Sequence, residues 1–245
     1  MPRVDLFTTI HKALRVALFE AALEVGRADL READDAGPVV ARVRSLLDLL
    51  DEHAAHEDDL LLPVVAAAAP LLASDLAGEH VRLAGLRVDL RRLLVRLEQA
   101  DGPERAALGA RLHVKMGSLV AVHLTNMERE EGGVNRILWA HVSDAELLAL
   151  RARIQARLTP ERLGEWMALL VSAATPGERA EVLAALARGR SEAELAVATG
   201  SARRALGERR WAAVRAAAAA AGSANGARRA NGAGPRDLAA AEMLP

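Results

Sequence analysis

Four stretches between Asp5 and His141 carry apolar side chains at steps of three, four and seven residues, separated by breaks rich in proline, glycine and aspartate. That spacing puts the apolar groups on one face of a helix, and four such faces must cover one another. The first stretch reads as a helix from about Asp5 to about Arg27, with Phe7, His11, Leu14, Leu18 and Val25 on one stripe. The second begins after Gly37-Pro38, turns Val43, Leu46, Leu50, His53 and Glu57 inward, and is kinked or stopped by Pro63 and then Pro70. A third, capped by Ser74-Asp75, turns Leu76, His80, Leu83, Leu90 and Leu94 inward and ends at Asp101-Gly102-Pro103. The fourth starts at Pro103. At ~100° per residue, its Leu112, Met116, Leu119, His123, Asn126, Val134 and Ile137 all fall within roughly 40° of Glu130, whereas Glu128 points to the opposite side.

The expected fold is therefore all-α: an up-down four-helix bundle over residues 1–142, followed by short C-terminal helices over 143–215 and a disordered tail over 216–245. Ser143-Asp144-Ala145-Glu146 has the spacing of a capping box and opens the extension. Thr159-Pro160, Thr175-Pro176 and Gly189 mark further starts or breaks. From Ala216 onward the chain is rich in Ala, Gly, Asn and Arg, with too few large apolar groups to offset the entropy of ordering.

Composition removes several classes of chemistry. With no cysteine, disulfides, thiolate zinc sites, iron–sulfur clusters and thiol nucleophiles are excluded, which leaves histidine and carboxylate as the good metal ligands. A formal net charge of −1 argues against a chain built around phosphate contacts, although Arg203, Arg204, Arg209, Arg210 and Arg215 form a local basic patch that could meet nucleic acid or an acidic protein. The longest apolar run, Leu60 to Ala73, is short and twice broken by proline, and the N-terminus lacks a secretory pattern. The expectation is a cytoplasmic protein without a membrane partner. No nucleotide-binding glycine loop or Ser–His–Asp order stands out.

Each of the four helices offers an inward side chain able to bind a metal: His11; His53 with Glu57 one turn later; His80; and His123 with Glu130. Histidine at i and carboxylate at i+4 project from one face, so both reach a common ion or adjacent ions of a pair. A lone histidine on an apolar face is more often a hydrogen-bonded core residue than a ligand. Two inward carboxylates change the balance. With no lysine on their stripes, Glu57 and Glu130 would each cost several kcal/mol to bury unpaired, and a cation removes that cost. His56, about 100° from Glu57, reads as exposed or as supporting a ligand, while His113 and His141 read as structural. The run Glu128 to Glu131 reads as a solvated face apart from Glu130.

His11 in IHKALR, the block HAAHEDDLLLP, His80 in GEHVRL and the segment HLTNMEREEGGVNRILWAHVSDAEL together resemble the hemerythrin-like, HHE cation-binding family. The similarity covers about residues 5–145, and the helices after it resemble the C-terminal extension of one bacterial branch. The resemblance implies a four-helix bundle with a non-haem di-iron centre bridged by carboxylates and oxygen, used in oxygen binding, oxygen or redox sensing, or iron handling. It assigns metal-ligand positions to His11, His53, Glu57, His80 and Glu130.

Two departures from the family stand out. Asn126 occupies the place of a histidine four residues before the last glutamate, and Ala84 that of a further histidine in oxygen carriers. His123 is a candidate substitute, ~20° from Glu130 but two turns away, roughly 10 Å along the axis. Pairing His123 with Glu128 instead would require a π-bulge. Fewer imidazoles leave open positions for oxygen, peroxide or nitric oxide, or a single metal in place of two. The leading expectation is a non-enzymatic iron protein that binds or senses oxygen or another small oxidant. An oxidant-scavenging or iron-oxidising enzyme and a metal-free helical interaction scaffold are the alternatives. The absence of tyrosine argues against radical-generating di-iron chemistry.

Overall fold

The computed structural model describes residues 3–187 and 191–231, with side chains as far as residue 219. The described residues are all-helical, without a strand. The elements are α1 (Thr8–Arg27), α2 (Ala33–His56), α3 (Leu62–Ala68), α4 (Pro70–Gln99), α5 (Gly102–Arg129), α6 (Asn135–His141), α7 (Asp144–Ala156), α8 (Pro160–Ala173), α9 (Pro176–Ala187), α10 (Glu192–Leu206) and α11 (Glu208–Asn231). Two π-helical turns, Glu57–Leu61 and Glu130–Val134, join α2 to α3 and α5 to α6 without interrupting the helical path. Among the described residues, no helix is long and apolar enough to cross a membrane.

Helix α1 packs on α2 and α5, and α4 packs on the same two. Their stripes merge into one core that includes Leu14, Leu18, Leu47, Leu50, Leu94 and Leu112, all fully buried. Beyond the π turns, Leu61, Val65, Leu76, Val134 and Leu138 form a second cluster that closes the end of this core nearest the inward acids. The C-terminal helices make a third, around Met167, Val171, Leu183 and Trp211, and α8 lays Trp166 against α1 and the main core.

Several boundaries differ from the sequence expectation. Helix α1 starts at Thr8 because the Asp5 carboxylate accepts from the backbone N–H groups of Phe7 and Thr8, capping the chain one turn later than expected. Helix α2 starts at Ala33 with Pro38 inside it; Asp34 and Asp35 favour the first turn, and the proline forgoes its bond to the Asp34 carbonyl. Helix α4 starts at Pro70 in place of Ser74-Asp75, because a proline in the first turn needs no intrahelical N–H partner. Pro63 does not stop the helical run. It sits in the first turn of α3, after a π turn in which Leu62 N–H donates to the Glu57 carbonyl.

The second π turn rotates the downstream helix by one residue, so Leu138 is buried while Ile137, expected on the inner stripe, is only half-buried. Helix α11 runs through Ala216 to Asn231, where a disordered tail was expected, since its alanine run has the highest helix propensity of any residue type. Gly189 and residues 232–245 lie outside the described residues.

Candidate metal centre

Both inward glutamates open a π turn. Glu57 follows α2 and Glu130 follows α5, and each has backbone angles of φ −69° and ψ −48° at that position. Such turns add one residue to a helical coil and recur at functional sites, where they re-aim side chains. Here each delivers a buried carboxylate, only 4% and 2% exposed respectively.

His11, His53, Glu57 and Glu130 each direct one nitrogen or oxygen to a common point, and these atoms all lie within 4.8 Å of one another. His11 Nε2 is 3.2 Å from His53 Nε2 and 3.5 Å from both Glu57 Oε1 and Glu130 Oε2. His53 Nε2 is 3.1 Å from Glu57 Oε1. His80 stands on the other side, with Nε2 3.1 Å from Glu130 Oε1 and 3.8 Å from Glu57 Oε2. Each carboxylate thus turns one oxygen toward His11 and the other toward His80. Asn126 lies beside His80 and donates Nδ2 to Glu130 Oε1 at 2.9 Å.

Despite these short separations, Glu57 Oε1 and Glu130 Oε2 accept no well-aligned hydrogen bond among the described residues. The imidazole nitrogens and carboxylate oxygens converge on a shared volume, as donors around a cation do. Neutral imidazole and carboxylate form a donor set suited to iron, manganese or zinc. These four residues could hold a metal ion, and the donor chemistry fits the expectation from the sequence.

The outer nitrogens are fixed by acids. His11 Nδ1 meets Glu131 Oε1 at 3.1 Å, and Arg15 grips the same carboxylate at 2.6 and 3.1 Å. His80 Nδ1 meets Asp58 Oδ1 at 2.6 Å. With Nδ1–H donating outward, the neutral ring presents the Nε2 lone pair inward. Glu131, expected to be solvated, and Asp58, not singled out from the sequence, are therefore part of the centre. Their shared signal is an acid placed immediately after each inward glutamate. Replacing Glu131 with alanine is expected to weaken metal binding about 10–100-fold while leaving stoichiometry intact, as a chelator competition assay would read.

The remaining candidates divide. Glu128 is exposed, as its outward angle required, so it makes no pair with His123. His123 is buried, but among the described residues its Nε2 has no partner, and no hydrogen bond or ion pair joins it to the cluster. Burial, with the Arg87 guanidinium nearby, lowers its pKa to about 3, so it stays neutral. His56 is half-buried, while His113 and His141 are exposed. In the basic patch, Arg203 pairs with Glu208 and Arg215 with Glu192.

Without a metal, protons hold the cluster together. Burial works against a charged imidazole at His11, but Glu131, Glu57 and Glu130 outweigh it and raise its pKa to about 9. At His80 burial again opposes, and Glu130, Asp58 and Glu57 again prevail, to about 9. Burial and the charge of Glu57 push Glu130 upward, while the surrounding imidazoles outweigh burial at Glu57 and hold it down. Two carboxylates sharing one site split in this way.

Metal binding must displace these imidazole protons, so uptake at pH 7 is expected to release protons, and apparent affinity to rise up to about tenfold per pH unit for each proton until pH reaches about 9. Titrations in buffers of different ionisation enthalpy check this, and a pH-independent affinity would contradict it. The metal-free fold has the converse dependence. A raised histidine pKa stabilises fully below its ordinary 6.5 and loses that contribution as pH climbs through about 9, on the order of 3 kcal/mol for each of His11 and His80.

Comparison with known protein families, with curated proteins and with solved structures finds no match to this chain.

Proposed function

We propose that this chain is a non-haem iron protein of hemerythrin-like type, in which α1, α2, α4 and α5 form a four-helix bundle around a centre that binds or senses oxygen or a related small oxidant. The observation that carries the reading is the pair of buried carboxylates, Glu57 and Glu130, each facing His11 with one oxygen and His80 with the other. That layout suits two adjacent ions sharing two carboxylates. His11 and His53 would help to hold one ion, and His80 would help to hold a second, where Asn126 stands in the place of an imidazole. Iron held there would supply reversible binding or reduction of oxygen.

The protein's own groups do the rest. Glu131 and Asp58 orient the two imidazoles by accepting hydrogen bonds from their Nδ1–H groups, while Leu61, Val65, Leu76 and Val134 pack beside them. A void of about 10 Å³ lies among Glu57, His80, Glu130 and the apolar side chains beside them, enough for one water-sized molecule. A small oxidant fits such a space.

Anaerobic loading with ferrous iron, followed by air, tests the proposal. The expected result is tight iron retention and a new near-ultraviolet absorption that appears with oxygen. Failure to retain iron would overturn the reading in favour of a metal-free helical scaffold. Sustained turnover of peroxide or ferrous iron would make the same centre an oxidant scavenger or iron oxidase.

A further inference from the structure

A cavity of about 350 Å³ lies between the first two helices and the C-terminal ones, and His53 and Glu57 form part of its wall. Its volume falls in the lower part of the ~300–1,000 Å³ range of small-molecule sites. The walls are mainly apolar: Leu6 and Ile10 come from the N-terminal segment, Ile154 from α7, and Trp166, Met167 and Leu170 from α8. Ion pairs bind the extension around this interior. Lys12 holds Glu178 at 2.6 Å, Arg157 holds Asp59 at 2.7 Å and Arg162 holds Glu52 at 2.5 Å, with Trp166 Nε1 donating to the same Glu52. A polar rim around a mainly apolar interior is the anatomy of a ligand site.

Charge narrows the ligand. Of the four lining carboxylates, Glu57 is compensated within the cluster and Glu178 by Lys12, which leaves Asp5 and Glu181 against one guanidinium, Arg151, which donates to the Asp5 carbonyl. An organic acid would meet repulsion there, whereas a neutral molecule would not. The hydrogen-bonding side chains of the wall include Thr9, His56 and Gln155 beside His53 and Glu57, which belong to the four-residue cluster. We infer that the cavity binds an uncharged apolar organic molecule carrying one hydroxyl or carbonyl group, with that polar end against polar side chains of the wall outside the metal cluster. The site goes beyond the oxidant reading and does not require it. The extension thus serves as the outer wall of a second ligand site beside the centre.

Trp166 in the cavity wall reports occupancy. Titrating the full-length protein with bromodecanol is expected to give saturable quenching of tryptophan fluorescence that is largely lost in Trp166→Phe. Decanol should compete at least about tenfold more strongly than decanoic acid, because the acid brings a charge into a low-dielectric, acidic pocket. Ala185→Phe, which fills the cavity from α9, should weaken bromodecanol binding at least about tenfold. Ile154→Phe fills it from α7 and serves if the first variant does not fold, as judged by circular dichroism. Non-saturable quenching, decanoic acid binding as tightly as decanol, or wild-type affinity in a folded cavity-filled variant would each overturn the inference. Iron retention measured on the same samples separates the two readings, since the cavity can hold its ligand whether or not the metal centre takes iron.

Discussion

Glu57→Ala is expected to abolish metal uptake at both positions and to destabilise the metal-free protein by about 3–5 kcal/mol, because it removes one partner of a buried, charge-compensated cluster. In the proposed two-ion centre both positions depend on this one residue. Glu57 presents Oε1 to His11 and His53 and Oε2 to His80, so a single substitution withdraws a donor from each side. Removing an orienting acid behind a ligand costs about 10–100-fold in affinity, and loss of a direct, charged ligand should exceed that. Glu57→Gln keeps the shape and removes the charge, so it separates packing from coordination; its fold should survive while its metal affinity falls. Glu128→Ala, on the exposed face of α5, should change neither. Competition against a chromophoric chelator, with thermal melts of the metal-free forms, provides the readings. Wild-type stoichiometry and affinity in folded Glu57→Ala would mean that the carboxylate is not shared.

How far the sequence foretold this centre depends on the kind of information each residue carries. His11, His53, Glu57 and Glu130 were legible because they sit on apolar stripes, and stripes fix which side of a helix faces inward. The choice of Glu130 over Glu128 followed from angle alone. The π turns were not legible at Glu57 and Glu130. They arise where a proline at position 63, or glycines at 132 and 133, relax the i to i+4 pattern, and neither signal by itself distinguishes a π turn from a break.

Asp58 and Glu131 were missed for a related reason. Periodicity marks them as off the inner stripe, whereas a π turn moves the neighbouring residue toward the same interior. The helix starts were misjudged wherever an acid or proline acted at a distance from the apolar pattern, as Asp5 does for α1. The cavity was invisible to periodicity, since it is a tertiary feature made by α7, α8 and α9 closing over α1 and α2.

Asn126→His is expected to convert a centre with one strong position into one with two, raising metal stoichiometry from one to two per chain under conditions where the wild type retains one. The two halves share a local design. His53 stands four residues before Glu57, and Asn126 four residues before Glu130, each glutamate opening a π turn. His53 offers Nε2 to the shared volume, whereas Asn126 turns its amide nitrogen toward Glu130 Oε1, and an amide N–H₂ group has no lone pair for a cation. His80 is therefore left with only the two glutamates as charged or imidazole partners on its inner side. Among the described residues His123 has no hydrogen bond or ion pair to the cluster, and Arg87 disfavours any added positive charge near it. An imidazole at 126 supplies the missing donor on the correct face, and the second metal should bind more than about a hundredfold more tightly than in the wild type. Asn126→Ala should leave the first position loaded, because His11, His53, Glu57 and Glu130 all remain. Metal analysis after gel filtration distinguishes the outcomes. A folded Asn126→His protein that still retains one ion would show that the half around His80 is closed to metal for a reason other than its missing imidazole.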